Sequence, residues 1–294
     1  MGICLLNTLK VPHTYTWSPS LIPKPLNWGD EISISPTPNY LTIDISGFFF
    51  HSQPNYQPAP DLEQFISSGD PPIYIGFGSI VLDDPTALTN LLLSTLTTLP
   101  KINFLISKGW GGLTISNPPK NVFFLENVPH DWLFPKVRAV IHHGGAGTTA
   151  IGLKCGKPTF IVPFFGDQGF WGDMVFRAGA GPEPIPFKEL DGNKLREGIK
   201  VLLEDGVRMK AEEVGKKIRG ENGVERAVEG FYSLLPLMRM RCVVLKERVA
   251  VWEVSSGRGV SGVVAGLLER ERKLDLRKMK LLRYKEYDTE NQQV

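Results

Sequence analysis

The amino-acid sequence predicts an α/β protein built on a parallel β-sheet with helices on both faces. Between residues 69 and 235, short apolar segments alternate with longer segments of helical periodicity, an order typical of parallel sheets. The chain has 294 residues, of which 42% are hydrophobic and 22% are charged, so it is long enough to bury a substantial core. Sheets of this kind bind ligands at the carboxyl ends of their strands.

The predicted elements follow one another in a regular order. The predicted strands are Ile73–Phe77, Ile102–Ile106, Val122–Leu125, Ala139–Ile141 and Thr159–Val162. The predicted helices are Pro85–Thr98, Ala150–Lys154, Gln168–Ala178, Asp191–Glu204, Val207–Arg219 and Val224–Leu235. Asp84 is the expected N-cap of the first helix, with Pro85 at its first position, and Cys155-Gly156 is expected to end the second.

The two ends of the chain differ from this pattern. Prolines crowd residues 1–60, so we expect no regular elements there, and Trp17 and Trp28 are apolar anchors that need a packing partner. In the tail, Val260–Leu268 is predicted to be helical. The charged run Glu269–Glu286 is interpreted as a solvated helix face.

Composition narrows the function classes. A net charge of +2 favours neither a nucleic-acid binder nor a trap for acidic substrates. The three cysteines are too scattered for a disulfide framework or a metal knuckle, and no apolar run approaches the ~20 residues of a membrane span. We therefore expect a cytoplasmic protein that binds no nucleic acid, with peripheral membrane contact through the tail left open.

The candidate ligand site is a phosphate cradle formed by residues 143–149, directly after the strand Ala139–Ile141. Its glycines lack Cβ atoms, so a phosphate can approach the backbone. The following helix N-terminus offers free N–H groups and about half a positive charge. The residues predicted to contact a phosphate are His143, Gly144, Gly145, Gly147, Thr148 and Thr149.

Adjacent histidines precede these glycines. Neighbouring residues on a strand point to opposite faces, so His142 and His143 are not expected to bind one metal ion. One ring is predicted to be a buried, hydrogen-bonded structural histidine, and the other to face the phosphate cradle. His143 is assigned the ligand-facing role.

The same glycines also fit a different class of protein. Residues 145–150, GAGTTA, match the G-x-G-x-x-A form of the dinucleotide fingerprint, and Asp167 follows at about the spacing of a ribose-binding acid. A nicotinamide-dependent oxidoreductase is therefore an alternative. Against it, the fingerprint usually opens the fold, whereas this glycine turn comes late in the strand series.

Three further loops follow predicted strands, so their residues are expected to meet the phosphate cradle at one edge of the sheet. Ser79 follows the first strand, and Val128 and His130 follow the third. His130 is either a ligand contact or part of a turn. Asp167 and Gln168, a carboxylate beside an amide, are suited to hold sugar hydroxyls, although they could also cap the next helix.

At these residues the chain closely resembles the UDP-glucose-dependent sterol 3-beta-glucosyltransferases, members of the UDP-glycosyltransferase superfamily with the two-domain GT-B fold. The likeness covers nearly the whole chain. The matching segments are YTWSPSLIPKPLNWG (15–29), PPIYIGFGSIV (71–81), NVPHDWLF (127–134), IHHGGAGTT (141–149) and PFFGDQGFWGD (163–173).

The resemblance implies roles for single residues. Ser79 and His143 would contact the diphosphate, together with Gly145, Gly147, Thr148 and Thr149. Val128 would bind uracil through its backbone, His130 would lie near the nucleoside, and Asp167 and Gln168 would hold the glucose hydroxyls. No cofactor or metal is implied. The superfamily often has a ribose-binding glutamate at the position of Ile151, so this chain departs from the pattern there.

The resemblance also implies a domain arrangement. Residues 69–235 would form a Rossmann-like donor-binding domain, residues 1–68 a linker with a remnant of an acceptor domain, and residues 236–294 an extension that packs back on the N-terminal side. The catalytic base belongs to the acceptor domain in this family, so no catalytic residue is assigned here. The expectation is a truncated, inverting glucosyltransferase that alone transfers no glucose at an appreciable rate. A non-catalytic UDP-sugar-binding module is the alternative.

Overall fold

The computed structural model describes residues 14–24, 32–33, 43–51, 55–81, 84–109, 118–234, 241–248, 250–253, 258–271 and 280–281. The chain divides into two compact units. One unit comprises Tyr15–Trp28 and Ile45–Arg226, and the other comprises Met1–Thr14, Gly29–Asp44 and Ala227–Val294. Every predicted site residue belongs to the first unit.

The strands of the described residues are short. In chain order they are β1 (Thr14–Tyr15), β2 (Ile32–Ser33), β3 (Ile43–Ile45), β4 (Ile73–Gly76), β5 (Phe104–Ser107), β6 (Val122–Leu125), β7 (Ala139–His142), β8 (Thr159–Ile161), β9 (Trp252–Glu253), β10 (Gly259–Val260) and β11 (Lys280–Leu281).

The α-helices connect or flank these strands. They are α1 (Pro60–Ser67), α2 (Pro85–Leu96), α3 (His130–Leu133), α4 (Ala146–Lys154), α5 (Gln168–Arg177), α6 (Gly192–Leu202), α7 (Asp205–Arg219), α8 (Gly223–Leu234) and α9 (Gly262–Arg270). Two 3-10 helices lie at Phe134–Lys136 and Phe187–Glu189.

Five strands form the predicted parallel sheet, in the order β6-β5-β4-β7-β8. The strand β4 lies at the centre, and its last residue, Gly76, pairs with His142 of β7. The loops that follow β4 and β7 therefore leave the sheet side by side. The α/β class predicted from the sequence is confirmed.

Both faces of this sheet are covered, because strand residues alternate between two apolar clusters. Ile73, Ile75 and Ile141 face one cluster, which includes the buried leucines of α2 and α6. Tyr74 and Val140 face the other side, where α1 and α3 pack. Fully burying one large apolar side chain stabilises a fold by ~1.5–3 kcal/mol.

Most predicted boundaries differ from the observed ones by one or two residues, and two predictions are confirmed in detail. The strand Val122–Leu125 is found as predicted. The Asp84 carboxylate caps α2 by accepting a hydrogen bond from the Ala87 N–H. The start of α4 was predicted wrongly, since this helix begins at Ala146 instead of Ala150. Gly147, Thr148 and Thr149 thus belong to the first helical turn, while Gly144 and Gly145 precede it.

The expectation of no regular elements in residues 1–60 is also wrong. Short strands occur there, and α1 begins at Pro60. Leu62 of α1 is buried against the sheet, and Trp17 packs against a cluster that includes Trp171. Trp28 lies outside the described residues. The segment expected to be a linker therefore contributes to the core of the first unit.

In the second unit, β9 pairs with β10 and β11 in antiparallel fashion. The predicted helix near Val260 is found as α9, which Ser261 caps by accepting from the Val264 N–H. Cys242 and Val264 belong to its small buried cluster. Most of the charged run Glu269–Glu286 lies outside the described residues. Within the described ranges, no helix is both long and apolar enough to cross a membrane.

Candidate functional site

The predicted site residues lie at the carboxyl edge of the parallel sheet. Ser79 follows β4, His143 follows β7, and Asp167 follows β8. Since β4, β7 and β8 are consecutive in the sheet, their loops are neighbours. His130 follows β6 and reaches this region through a contact with Tyr74 of β4. The expectation that these loops share one edge is therefore confirmed.

The imidazole of His143 lies between two glycines. A Cβ atom at Gly78 would lie 2.9 Å from His143 Cε1, and a Cβ atom at Gly145 would lie 2.6 Å from His143 Nε2. Gly78 also has a positive φ of 64°, which favours glycine. Any side chain at either position would displace the ring, so the two glycines define where His143 lies.

The N-terminus of α4 is open. The first helical hydrogen bond runs from the Thr149 N–H to the Gly145 carbonyl at 2.9 Å, so the N–H groups of Ala146, Gly147 and Thr148 have no partner within the helix. Among the described residues outside its own helical turn, no atom would lie within 4 Å of a Cβ atom at Gly147. The space beside this position is therefore open in the described part of the chain.

The two threonines of this turn differ. Thr148 is partly exposed, whereas Thr149 is fully buried and donates its hydroxyl to the Gly145 carbonyl at 3.0 Å. This back-bonding to residue i−4 is common for threonine in helices. A ligand contact by the Thr149 hydroxyl would require that bond to be given up, so Thr148 is better placed for the predicted role.

Gly144 joins the phosphate cradle to the segment that carries Asp167 and Gln168. Its φ is +91°, and a Cβ atom there would lie 2.8 Å from the Gln168 carbonyl and 2.7 Å from Ile161 Cγ2. The backbones that begin α4 and α5 therefore touch at this glycine, and the two predicted subsites adjoin.

Asp167 and Gln168 are each held by hydrogen bonds within the protein. Asp167 is exposed, and its Oδ2 accepts from the Trp171 indole N–H at 2.8 Å. Gln168 is 6% exposed, and its Oε1 accepts from the N–H groups of Phe164 at 2.7 Å and Phe165 at 3.2 Å. The carboxylate is thus oriented, and the amide nitrogen of Gln168 is the part not used by these bonds.

The prediction that one of the adjacent histidines is buried is confirmed. His142 is fully buried, and its Nδ1 accepts from the Gly144 N–H at 3.0 Å. His142 Nε2 and His143 Nδ1 are buried without a hydrogen-bond partner among the described residues. The ring of His142 therefore supports the turn at Gly144, and that of His143 faces the phosphate cradle.

Burial favours the neutral form of the three histidines at the site, His130, His142 and His143. Desolvation lowers the pKa of His142 well below its ordinary value, with smaller contributions from His143 and His130. Burial lowers the pKa of His143 as well. The pKa of His130 falls to about 4, mainly through burial and then through the charge of His143, while Asp131 acts in the opposite direction.

These shifts predict how stability depends on pH. Above the ordinary histidine pKa of 6.5 these rings are neutral in the folded and the unfolded chain, and their contribution does not vary. As the pH falls from 6.5 towards 4, the unfolded chain binds protons that the folded chain does not, so the folded state loses stability. Thermal melting across this range should show a steadily falling Tm. The Tm of the variant His130→Gln should fall less than that of the wild type over this pH range. A Tm that stays level in the wild type would contradict the burial of these rings.

Two residues important for the site were not predicted from the sequence. Tyr74 lies within a buried strand and contacts His130, and Trp171 orients Asp167. The available signal for Tyr74 was a lone phenol in an otherwise aliphatic strand. Val128 is 9% exposed and belongs to the cluster on the Tyr74 side of the sheet, which leaves its backbone as the group that a ligand could use.

No group of three His, Cys, Asp or Glu side chains within the described ranges is arranged to hold a metal ion. Ile151, at the position discussed for ribose binding, packs partly buried against the cluster of Tyr74 and offers no polar atom from its side chain.

The chain is similar to known glycosyltransferases. Residues 109–225 match the family described as erythromycin biosynthesis protein CIII-like, C-terminal domain. A sterol 3-beta-glucosyltransferase of Arabidopsis thaliana is 46% identical over 77% of this chain and 34% of its own length. The sterol 3-beta-glucosyltransferase of Aspergillus oryzae is 37% identical over 80% of this chain and 17% of its own length.

Solved structures agree on the fold. The glycosyltransferase of kitacinnamycin superposes with a TM-score of 0.61 at 16% identity, covering 76% of this chain and 55% of its own. The calicheamicin glycosyltransferase CalG4 superposes with a TM-score of 0.57 at 17% identity, covering 76% of this chain and 51% of its own. The oxidoreductase alternative has no counterpart among these relatives. Over 77% of its length the chain is thus similar to sterol 3-beta-glucosyltransferases, it shares the fold of solved glycosyltransferases, and it spans about a third of the length of its plant relative.

Proposed function

We propose that this chain binds UDP-glucose as the donor for inverting transfer to a sterol hydroxyl. The substrate class follows from the names of the relatives, which are sterol 3-beta-glucosyltransferases. The observation that carries the proposal is the open N-terminus of α4 beside His143, in contact through Gly144 with the segment of Asp167 and Gln168. An anion-binding subsite and a hydroxyl-binding subsite thus adjoin, as a nucleotide sugar requires.

In this proposal the diphosphate is bound at the phosphate cradle. The N–H groups of the first turn of α4 donate to its oxygens, with His143, Thr148 and the loop at Ser79 around them. The helix N-terminus adds a positive potential. These dipoles are fixed before the reaction, so they stabilise the negative charge that develops as UDP leaves. The role is assigned to these groups and not to a metal ion.

The sugar and the nucleoside are assigned to the neighbouring loops. The carboxylate of Asp167, oriented by Trp171, accepts from glucose hydroxyls, and the amide nitrogen of Gln168 donates to them. The backbone of Val128 pairs with the uracil, and His130 contacts the nucleoside. Ribose recognition is not assigned to Ile151.

The reaction divides between two sides. A general base removes the proton of the sterol hydroxyl, whose oxygen attacks the anomeric carbon of glucose while the bond to UDP breaks. The residues described here act on the leaving-group side. No residue of this site is assigned the role of base.

Calorimetry on the purified chain tests the proposal. UDP and UDP-glucose should bind more tightly than NAD or NADP, because the sugar subsite adjoins the phosphate cradle. The variant Asp167→Asn should weaken UDP-glucose while leaving UDP almost unchanged, since the carboxylate is assigned to the sugar alone. Equal or tighter binding of a nicotinamide cofactor would refute the proposal.

A further inference from the structure

We propose that Tyr74 is a positioning residue which fixes the tautomer of His130, so that His130 presents an Nδ1–H donor to an acceptor oxygen of the bound nucleoside. The inference rests on the proposed function, because it assigns His130 to the nucleotide. It adds Tyr74, a buried residue of the central strand, as a residue that acts through His130.

The contact itself is a hydrogen bond inside the protein. The Tyr74 hydroxyl lies 3.1 Å from His130 Nε2. Tyr74 is only 3% exposed, so water does not compete for this bond. His130 also stacks on Phe134, with ring centroids 4.4 Å apart and an interplanar angle of 15°. Stacking fixes the plane of the imidazole, and the hydrogen bond fixes its rotation within that plane.

The backbone makes room for this hydroxyl. A Cβ atom at Gly76 would lie only 2.2 Å from the Tyr74 oxygen, so any other residue would exclude the phenol from its position. The same Cβ atom would lie 3.0 Å from Cβ of Ser107, on the neighbouring strand β5. Ser107 acts on the Tyr74 hydroxyl as a polar neighbour and opposes the rise in the Tyr74 pKa that burial causes. The polar groups of Ser107 and His130 therefore lie on either side of the Tyr74 hydroxyl.

Acid and base strengths decide which of these groups donates a hydrogen bond and which accepts it. A phenol is a much stronger acid than a serine hydroxyl, and an imidazole nitrogen is a much stronger base than a phenol oxygen. The favoured arrangement has Ser107 donating to Tyr74 and Tyr74 donating to His130 Nε2. Which tautomer a histidine adopts is set by the bond that its other nitrogen makes. His130 is then neutral and carries its proton on Nδ1.

His130 lies where such a donor would be useful. It follows β6 at the carboxyl edge of the sheet, and the charge of His143 acts on its pKa. Its Nδ1 has no hydrogen bond to any residue that the structure describes, and the ring is partly exposed. An Nδ1–H group there would meet a carbonyl or hydroxyl oxygen of a nucleoside whose diphosphate occupies the phosphate cradle.

Two variants separate this role from a structural one. Tyr74→Phe removes only the hydroxyl and keeps the ring that packs against Phe134. Ser107→Ala removes the hydroxyl on the other side of Tyr74 and leaves the hydrogen bond from Tyr74 to His130 in place. Tyr74→Phe leaves both Ser107 and His130 without the hydroxyl as partner, whereas Ser107→Ala leaves only Tyr74 without one, so Tyr74→Phe should reduce thermal stability more.

The readouts are nitrogen-15 spectra of the imidazoles and calorimetry with UDP. In the free wild-type chain, His130 should be protonated at Nδ1. Tyr74→Phe should shift it towards the Nε2–H tautomer and weaken UDP roughly three- to tenfold. Ser107→Ala should change neither the tautomer nor the affinity.

An Nε2–H tautomer in the wild type, an unchanged tautomer in Tyr74→Phe, or an equal loss of UDP affinity in Ser107→Ala would overturn the proposal. Failure of the wild type to bind UDP would instead refute the proposed function. The spectra of the free protein would still decide whether Tyr74 fixes the tautomer.

Discussion

Replacing Gly147 by aspartate should abolish most UDP binding without harming the fold. A Cβ atom at this position would contact no described residue outside its own helical turn, so there is room for a side chain. An acidic residue in the first turn of α4 also interacts favourably with the helix dipole, by about 0.3–1 kcal/mol. The same carboxylate lies where the diphosphate is proposed to bind, and like charges in direct contact cost several kcal/mol. Calorimetry should show UDP affinity lower on the order of 100-fold, with an unchanged or higher Tm.

The matched control is Gly147→Asn, which adds a side chain of the same size without a charge. It should bind UDP more weakly than the wild type but much more tightly than the aspartate variant. Equal affinities for the two variants would mean that no phosphate lies near this turn. Wild-type affinity in both would place the nucleotide elsewhere.

Substituting the adjacent histidines should produce two different defects. His142→Ala removes a fully buried ring and leaves the Gly144 N–H without its acceptor, so the free energy of unfolding should fall by about 2–4 kcal/mol. His143→Ala should leave the fold largely intact. It should weaken UDP by about 1.5–3 kcal/mol, because a charge-assisted hydrogen bond to the diphosphate is lost. Urea unfolding measures the first effect, and calorimetry measures the second.

Conservative variants sharpen this comparison. In His142→Asn the side-chain oxygen can accept from the Gly144 N–H, so part of the stability should return. In His143→Gln the amide can donate in place of Nε2, so part of the UDP affinity should return. The assignment of the two rings would be wrong if His142→Ala mainly lost UDP affinity and His143→Ala mainly lost stability.

Local signals in the sequence predicted most of the parallel sheet. Val122–Leu125 is a short apolar run between polar loops, and α2 has a capping residue followed by a proline, so both were found correctly. The start of α4 was misplaced because glycine has a low helix propensity, which argued against a helical turn containing Gly147. In the fold, the preceding turn at Gly144 and the bond from Thr149 to Gly145 begin the helix there.

Other features depend on contacts between distant segments. Helix α1 was not predicted because it begins at the end of the proline-rich segment. Its Leu62 is buried by packing against the sheet, a contact that no local pattern indicates. The sequence predicts a ligand-facing role for His143, but the position of its ring depends on Gly78, which lies on another loop. The contact between Tyr74 and His130 likewise requires the strand order, which no local pattern specifies.

The contact between Gly144 and Gln168 has a consequence for any redesign of the proposed sugar subsite. With its positive φ and with a backbone carbonyl where a side chain would begin, Gly144 offers no position that mutagenesis can explore. By contrast, Gly166 and Gly169 flank Asp167 and Gln168, and a Cβ atom at either would have no described residue within 4 Å apart from the adjoining backbone. More residue types can replace Gly169 than Gly166, because the φ of Gly166 is +66°, a backbone conformation that favours glycine. A library aimed at new sugars should therefore vary Gly169 first and keep Gly144 fixed.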